Sequence, residues 1–133
     1  MKNIKRVVKN LVKRYGTHNP EVIIRELKIS IIDYPFPPNI NGLYICLPKK
    51  KIIMVSNSIY DNFRKIVLAH ELAHYILHKG CNHIFFKSNT LFNIDKFETE
   101  ADHFTFELLF SDGNFDENNI SENVLNHFYN IRY

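Results

Sequence analysis

Apolar residues recur at three- and four-residue spacing near the start of the chain. Ile4, Val7, Val8, Leu11, Val12 and Tyr15 fall on one stripe, which predicts an amphipathic helix over residues 4–15. Gly16 follows at the position where a helix can leave in the left-handed conformation. Asn19-Pro20, a cap and a first-turn proline, open a second short helix reaching about Leu27. The period then shortens to that of strands. Residues 28–33 carry three β-branched isoleucines and read as a strand, and Pro35, Pro37 and Pro38 impose an extended loop. Asn41-Gly42 reads as a turn, and residues 43–47 and 51–55 as a hairpin about Pro48-Lys49-Lys50. Ser58, with Asp61 three residues on, is the expected cap of a long helix over residues 59–79 that Gly80 ends. Its 21 residues span about 31 Å at 1.5 Å per residue. After a polar loop, further helices are expected over 96–110, broken by Ser111-Asp112-Gly113, and over 122–129. This order predicts one α+β domain over residues 1–133, with a small antiparallel sheet packed on a long central helix.

Composition narrows the class. With 133 residues, 45% hydrophobic and 23% charged, the chain suits a folded domain with its own core rather than a disordered or fibrous one. No apolar run approaches the roughly 20 residues of a membrane span, and the mixed first residues are not a secretory signal, so a cytoplasmic protein is expected. Cys46 and Cys81 form no CxxC unit. Cys81 does stand near His78 and His83, but without a recognised ligand spacing for a second metal. The net charge of +3 is uneven, with Lys2, Lys5, Arg6, Lys9, Lys13 and Arg14 preceding any acid. No aromatic or base-reading pattern accompanies them, so they read as a solvated helix face and no direct nucleic-acid contact is expected.

The chemistry lies in the long helix. His70-Glu71-Leu72-Ala73-His74 is an HExxH motif, and histidines four residues apart share a helix face, so both imidazoles can converge on one zinc ion. Glu71 is placed to take a proton from a water acidified by the metal and to return it to the leaving amine, which assigns it the catalytic role. A catalytic zinc needs three protein ligands and an open position. His78 continues the series but lies two turns, about 11–12 Å, from His70, too far to share the ion, and is expected to act as a supporting histidine. The helix over 96–110 offers carboxylates beside an apolar stripe of Phe97, Ala101, Phe104 and Leu108. Glu100, next to small Ala101, is the expected third ligand.

His70 to His78, followed by Glu100-Ala101-Asp102-His103-Phe104 and Glu107-Leu108-Leu109, resembles the ImmA/IrrE family of metallopeptidases. Tyr15 before Asn19-Pro20, Gly42-Leu43-Tyr44, and the run from Ile52 to Asn57 fit as well, so the likeness extends from about residue 15 to 110. The resemblance implies a zincin-like fold, zinc at His70, His74 and Glu100, and Glu71 as base. It also implies cleavage of a helix-turn-helix repressor of a phage or mobile element. The chain departs from the family in Asp102, often Asn there, and in Leu108-Leu109-Phe110-Ser111-Asp112, often Leu-Leu-Met-Pro.

Two other readings stand beside this one. Glu71-x-x-His74 and Glu100-x-x-His103 are Glu-x-x-His pairs such as carboxylate-bridged di-iron bundles use, although such a site needs glutamates from two further helices. A non-cleaving anti-repressor that keeps the metal would sequester its partner, but has no use for a base at position 71. The donor to the oxyanion is left open among Tyr44, Tyr75 and His103. The strand over 51–55 is expected to pair with an extended substrate.

Overall fold

The computed structural model describes residues 3–78 and 96–131, and the backbone of 83–86. Helix α1 spans Ile4–Tyr15, capped by the Asn3 side chain on the Arg6 amide at 3.1 Å. Gly16 leaves it at φ 71°, its amide returning 2.7 Å to the Val12 carbonyl, as the sequence predicts. Helix α2 spans Pro20–Glu26, with Asn19 accepting from the Glu21 amide. α1 buries Ile4 and Val8 and leaves its lysines and arginines in solvent.

Strands β1 (Ser30–Tyr34), β2 (Ile40–Leu47) and β3 (Lys50–Ser56) follow, and β4 (His83–Phe86) completes a sheet of order β1-β3-β2-β4. The α+β class holds, but the sheet is mixed. β2 is antiparallel to β3 and β4, whereas β1 runs parallel to β3. The cause is the link over residues 35–39, which carries the chain past the place β3 later fills. Two strand spacings are about 9–10 Å, a span that prolines held in the extended region cross readily. β3 is consequently interior, with both edges paired, so a substrate cannot add to it as the sequence suggested. β4 was not foreseen and falls in the segment read as a polar loop.

Asn41-Gly42 is not a turn. It lies inside β2, where the register with β4 shifts between Ile40 and Gly42. The glycine serves close approach instead: a Cβ at position 42 would stand 2.9 Å from Val67 Cγ1 and 3.1 Å from the Met54 carbonyl. Gly42→Ala is therefore expected to destabilise the fold by about 1–3 kcal/mol, the usual cost of overpacking, read from the denaturant midpoint.

Helix α3 spans Asp61–Leu77 and packs between the sheet and α4. Its cap is Tyr60 and not Ser58, whose hydroxyl is taken by Ser56 Oγ at 2.8 Å. His78 closes the helix. Gly80, the expected stop, and the Cys81 and His83 side chains of the suggested second metal cluster lie outside the described residues. Residues 66–74 are buried without interruption, polar ones included. Arg64 ties the helix to Asp33 of β1 and to Glu21 of α2. Among the described residues no helix is long and apolar enough to cross a membrane.

Helix α4 spans Lys96–Thr105 and widens into a π-helical turn over Phe106–Phe110. The Ser111 amide closes that turn on the Phe106 carbonyl at 3.0 Å. Helix α5 (Glu122–Tyr129), capped by Ser121 on the Val124 amide, matches its predicted span. Its Phe128 stacks on Phe110, with ring centroids 5.1 Å apart.

Candidate metal centre

One turn of α3 brings the His70 and His74 Nε2 atoms to 3.3 Å. A carboxylate oxygen completes a triangle with them. It is Glu98 Oε1, 3.2 Å from His70 Nε2 and 3.0 Å from His74 Nε2. Glu100 stands elsewhere: its Oε1 meets His78 Nε2 at 2.8 Å. Both glutamates come from α4, but only Glu98 lies on its buried face together with Ala101 and Thr105. The expected third ligand thus lies two residues from the one that meets the pair.

The other ring nitrogens fix how the imidazoles point. Asp102 Oδ1 accepts from His70 Nδ1 at 3.1 Å, so the His70 Nε2 lone pair faces Glu98 when the ring is neutral. His74 Nδ1 lies 2.9 Å from His78 Nδ1 and donates to it when its own Nε2 is kept for a metal. His78 then donates from Nε2 to Glu100. Two relays result, and each leaves one acceptor in the centre. Three acceptors 3.0–3.3 Å apart repel unless a cation sits among them. A tetrahedral zinc with ligand bonds of 2.0–2.1 Å sets its ligand atoms about 3.3 Å apart. The donor set fits such an ion.

Glu71 is the remaining carboxylate. It is fully buried, and neither of its oxygens has a hydrogen-bond partner among the described residues. Its ligand atom and those of His70 and His74 lie within 4.8 Å of one another. Its Cγ lies 3.6 Å from where a Gly42 Cβ would be, so β2 roofs the residue closely. Of the two glutamates, Glu98 touches both imidazoles and has the contacts of a ligand. Glu71 stands beside them with oxygens available to a water.

The family model of the IrrE N-terminal-like domain, a peptidase family, matches residues 24–128. This chain belongs to the ImmA/IrrE family of metallopeptidases. It is 37% identical over 109 residues to a protein of Bacillus phage phi105 named uncharacterized immunity region protein 2, covering 82% of this chain and 69% of that one. It is 31% identical over 113 residues to metallopeptidase ImmA of Bacillus subtilis strain 168, covering 84% of this chain and 65% of the relative. No solved structure gave a match. Among the described residues Glu100 meets His78 and His103 turns toward Glu107. Neither joins the group of His70, Glu71 and His74, which removes the ground of the di-iron reading.

In this metallopeptidase the other candidates sort by position. Tyr44 is fully buried on the face of β2 that Gly42 occupies, and meets Tyr75 edge to face at 6.3 Å. His103 turns toward Glu107, 3.7 Å away, and partial burial lowers its pKa. In the sequence Asp102 stands out only as a departure from the family pattern, and nothing marks His127. Yet His127 Nε2 donates to Asp102 Oδ2 at 2.8 Å.

Electrostatics in the metal-free chain follow from crowded, buried acids. Burial alone would lower the His70 pKa, but hydrogen bonds and charge from Asp102 and Glu98 outweigh it and raise it to about 10. Burial raises Glu71 to about 8, against the pull of the His70 charge. Burial would also raise Asp102, but hydrogen bonds from His127 and His70 prevail and lower it. A proton thus holds the place of the cation. His70 and Glu71 both bind protons more tightly folded than unfolded, so their contribution is lost as pH rises. For Glu71 the loss runs from 4.5 to about 8, and for His70 from 6.5 to about 10. The metal-free protein is expected to melt at progressively lower temperature from pH 5 to 9, a trend that bound metal should flatten. Thermal scans with and without a chelator check it.

Proposed function

We propose that the chain is a zinc-dependent endopeptidase acting on a specific protein, and that the protein is a helix-turn-helix repressor of a phage or mobile element. The observation that carries the peptidase reading is Glu71, a buried carboxylate with both oxygens open beside converging imidazoles. His70, His74 and Glu98 are the proposed ligands. A zinc ion held by them would supply Lewis acidity, acidifying a water and polarising the scissile carbonyl. Glu71 takes the proton of the attacking water and delivers it to the departing amine. Burial holds its pKa up in the metal-free chain, and the charge of a bound ion would draw it back toward the ionised form that a base needs. Asp102 keeps the His70 ring oriented, and the His78–Glu100 pair does the same for His74.

The repressor substrate is supported by the family likeness and by the name of the phage phi105 relative, an immunity region protein. A cytoplasmic site of action follows from that choice of substrate. The test is incubation of the zinc-loaded chain with a candidate repressor, followed by intact-mass analysis. One discrete cut that chelator blocks and zinc restores is expected. A repressor that is bound but left intact would sink the endopeptidase reading in favour of sequestration.

A further inference from the structure

The C-terminal helix reaches the metal centre through a single side chain. His127 Nε2 lies 2.8 Å from Asp102 Oδ2, and the other oxygen of that carboxylate lies 3.1 Å from His70 Nδ1. Its apolar side packs at the domain edge: Phe128 is buried on Phe110, Val124 and Leu125 are half-buried against the core, and the half-exposed Tyr129 ring meets Phe106 and Phe110. Asp102 is nearly enclosed, and His70 alone would occupy one of its two oxygens. His127 takes the second, from a helix that begins 20 residues downstream (122 against 102).

We propose that His127 is a positioning residue for the metal centre, so that docking of α5 and metal binding are energetically linked. The carboxylate of Asp102 can rotate about its terminal bond unless both oxygens are held. With His127 donating to one, the other is fixed along the His70 N–H, and the His70 lone pair is aimed at the centre. Without His127, Asp102 is free to turn and His70 loses its orientation. Linkage runs both ways: an ion that needs His70 aimed favours the state in which α5 is docked, and a docked α5 favours the ion. This rests on the reading of His70, His74 and Glu98 as ligands.

The test measures zinc affinity by competition with a chromophoric chelator for the wild type, His127→Ala and His127→Gln. The alanine variant is expected to bind zinc about 10–100-fold more weakly, the usual loss when a partner behind a ligand is removed. The glutamine, whose amide can still donate to Asp102, should recover most of that loss. Hydrogen exchange over residues 122–129 of the wild type should slow when zinc is added. A residue that only stabilised the fold would lower the melting temperature and leave zinc affinity unchanged, which would overturn the proposal. So would exchange in α5 that is indifferent to zinc, a measurement that decides the matter even if His127→Ala fails to fold. A wild type that binds no zinc would instead remove the ligand reading itself.

Discussion

Glu98→Ala is expected to strip the protein of its metal, whereas Glu100→Ala leaves the metal in place. Glu98 Oε1 is within 3.2 Å of both histidine nitrogens, and no other α4 carboxylate is in contact with the pair's Nε2 atoms among the described residues. Loss of a supporting partner costs a metal site about 10–100-fold, and removal of a direct ligand should exceed that range. Zinc should therefore be absent from Glu98→Ala after gel filtration, by elemental analysis. Glu100 acts one step back, through His78 on His74, so its alanine variant should stay within the 10–100-fold range and remain loaded at micromolar zinc. The reverse pattern would return the third-ligand role to Glu100.

Glu71→Gln should separate chemistry from binding. The amide keeps the shape of the side chain beneath Gly42 but cannot accept a proton. Loss of a positioned general base typically costs about 10²–10⁴ in rate, so repressor cleavage should fall by that factor. Zinc content should match the wild type, because Glu71 is not among the proposed ligands. Repressor affinity should be retained, which would make this variant suitable for capturing the complex. Full cleavage by Glu71→Gln would require another base, and unchanged biological output without cleavage would favour sequestration.

Much of this was legible in the chain. The stripe from Ile4 to Tyr15 and the Asn19-Pro20 cap are local signals, and those helices formed where their residues placed them, as did α5 over 122–129. The HExxH spacing put His70 and His74 on one face for the same reason. What failed was decided by partners distant in sequence. Ser58 has the composition of a cap but is held by Ser56. Asn41-Gly42 has the composition of a turn, but the close approach of Val67 requires the glycine within a strand. The glutamate choice turned on a single helical step. The spacing 98–101–105–108 is as helical as 97–101–104–108, so the sequence pattern alone does not say whether Phe97 or Glu98 lies on the buried stripe. The proposed ligand shifts from Glu100 to Glu98 only with the folded geometry. A signal was present: Glu98 and Asp102 are four residues apart, so two acids that each need a cationic or donor partner share a face of α4. His127 could be found only in three dimensions, since nothing local distinguishes it.

The uninterrupted burial of residues 66–74 has a practical consequence for anyone engineering a hardier or retargeted version. The residues proposed to do the chemistry do not sit on a loop that can be swapped while a scaffold is left alone. They are part of the packing itself, flanked by Leu68, Ala69, Leu72 and Ala73. Libraries that repack the interior will sample catalysis and stability at once and will mostly lose both. The solvent face of α1 and the exposed stretch over residues 111–114 can be diversified separately, and they are where a thermostability campaign should begin.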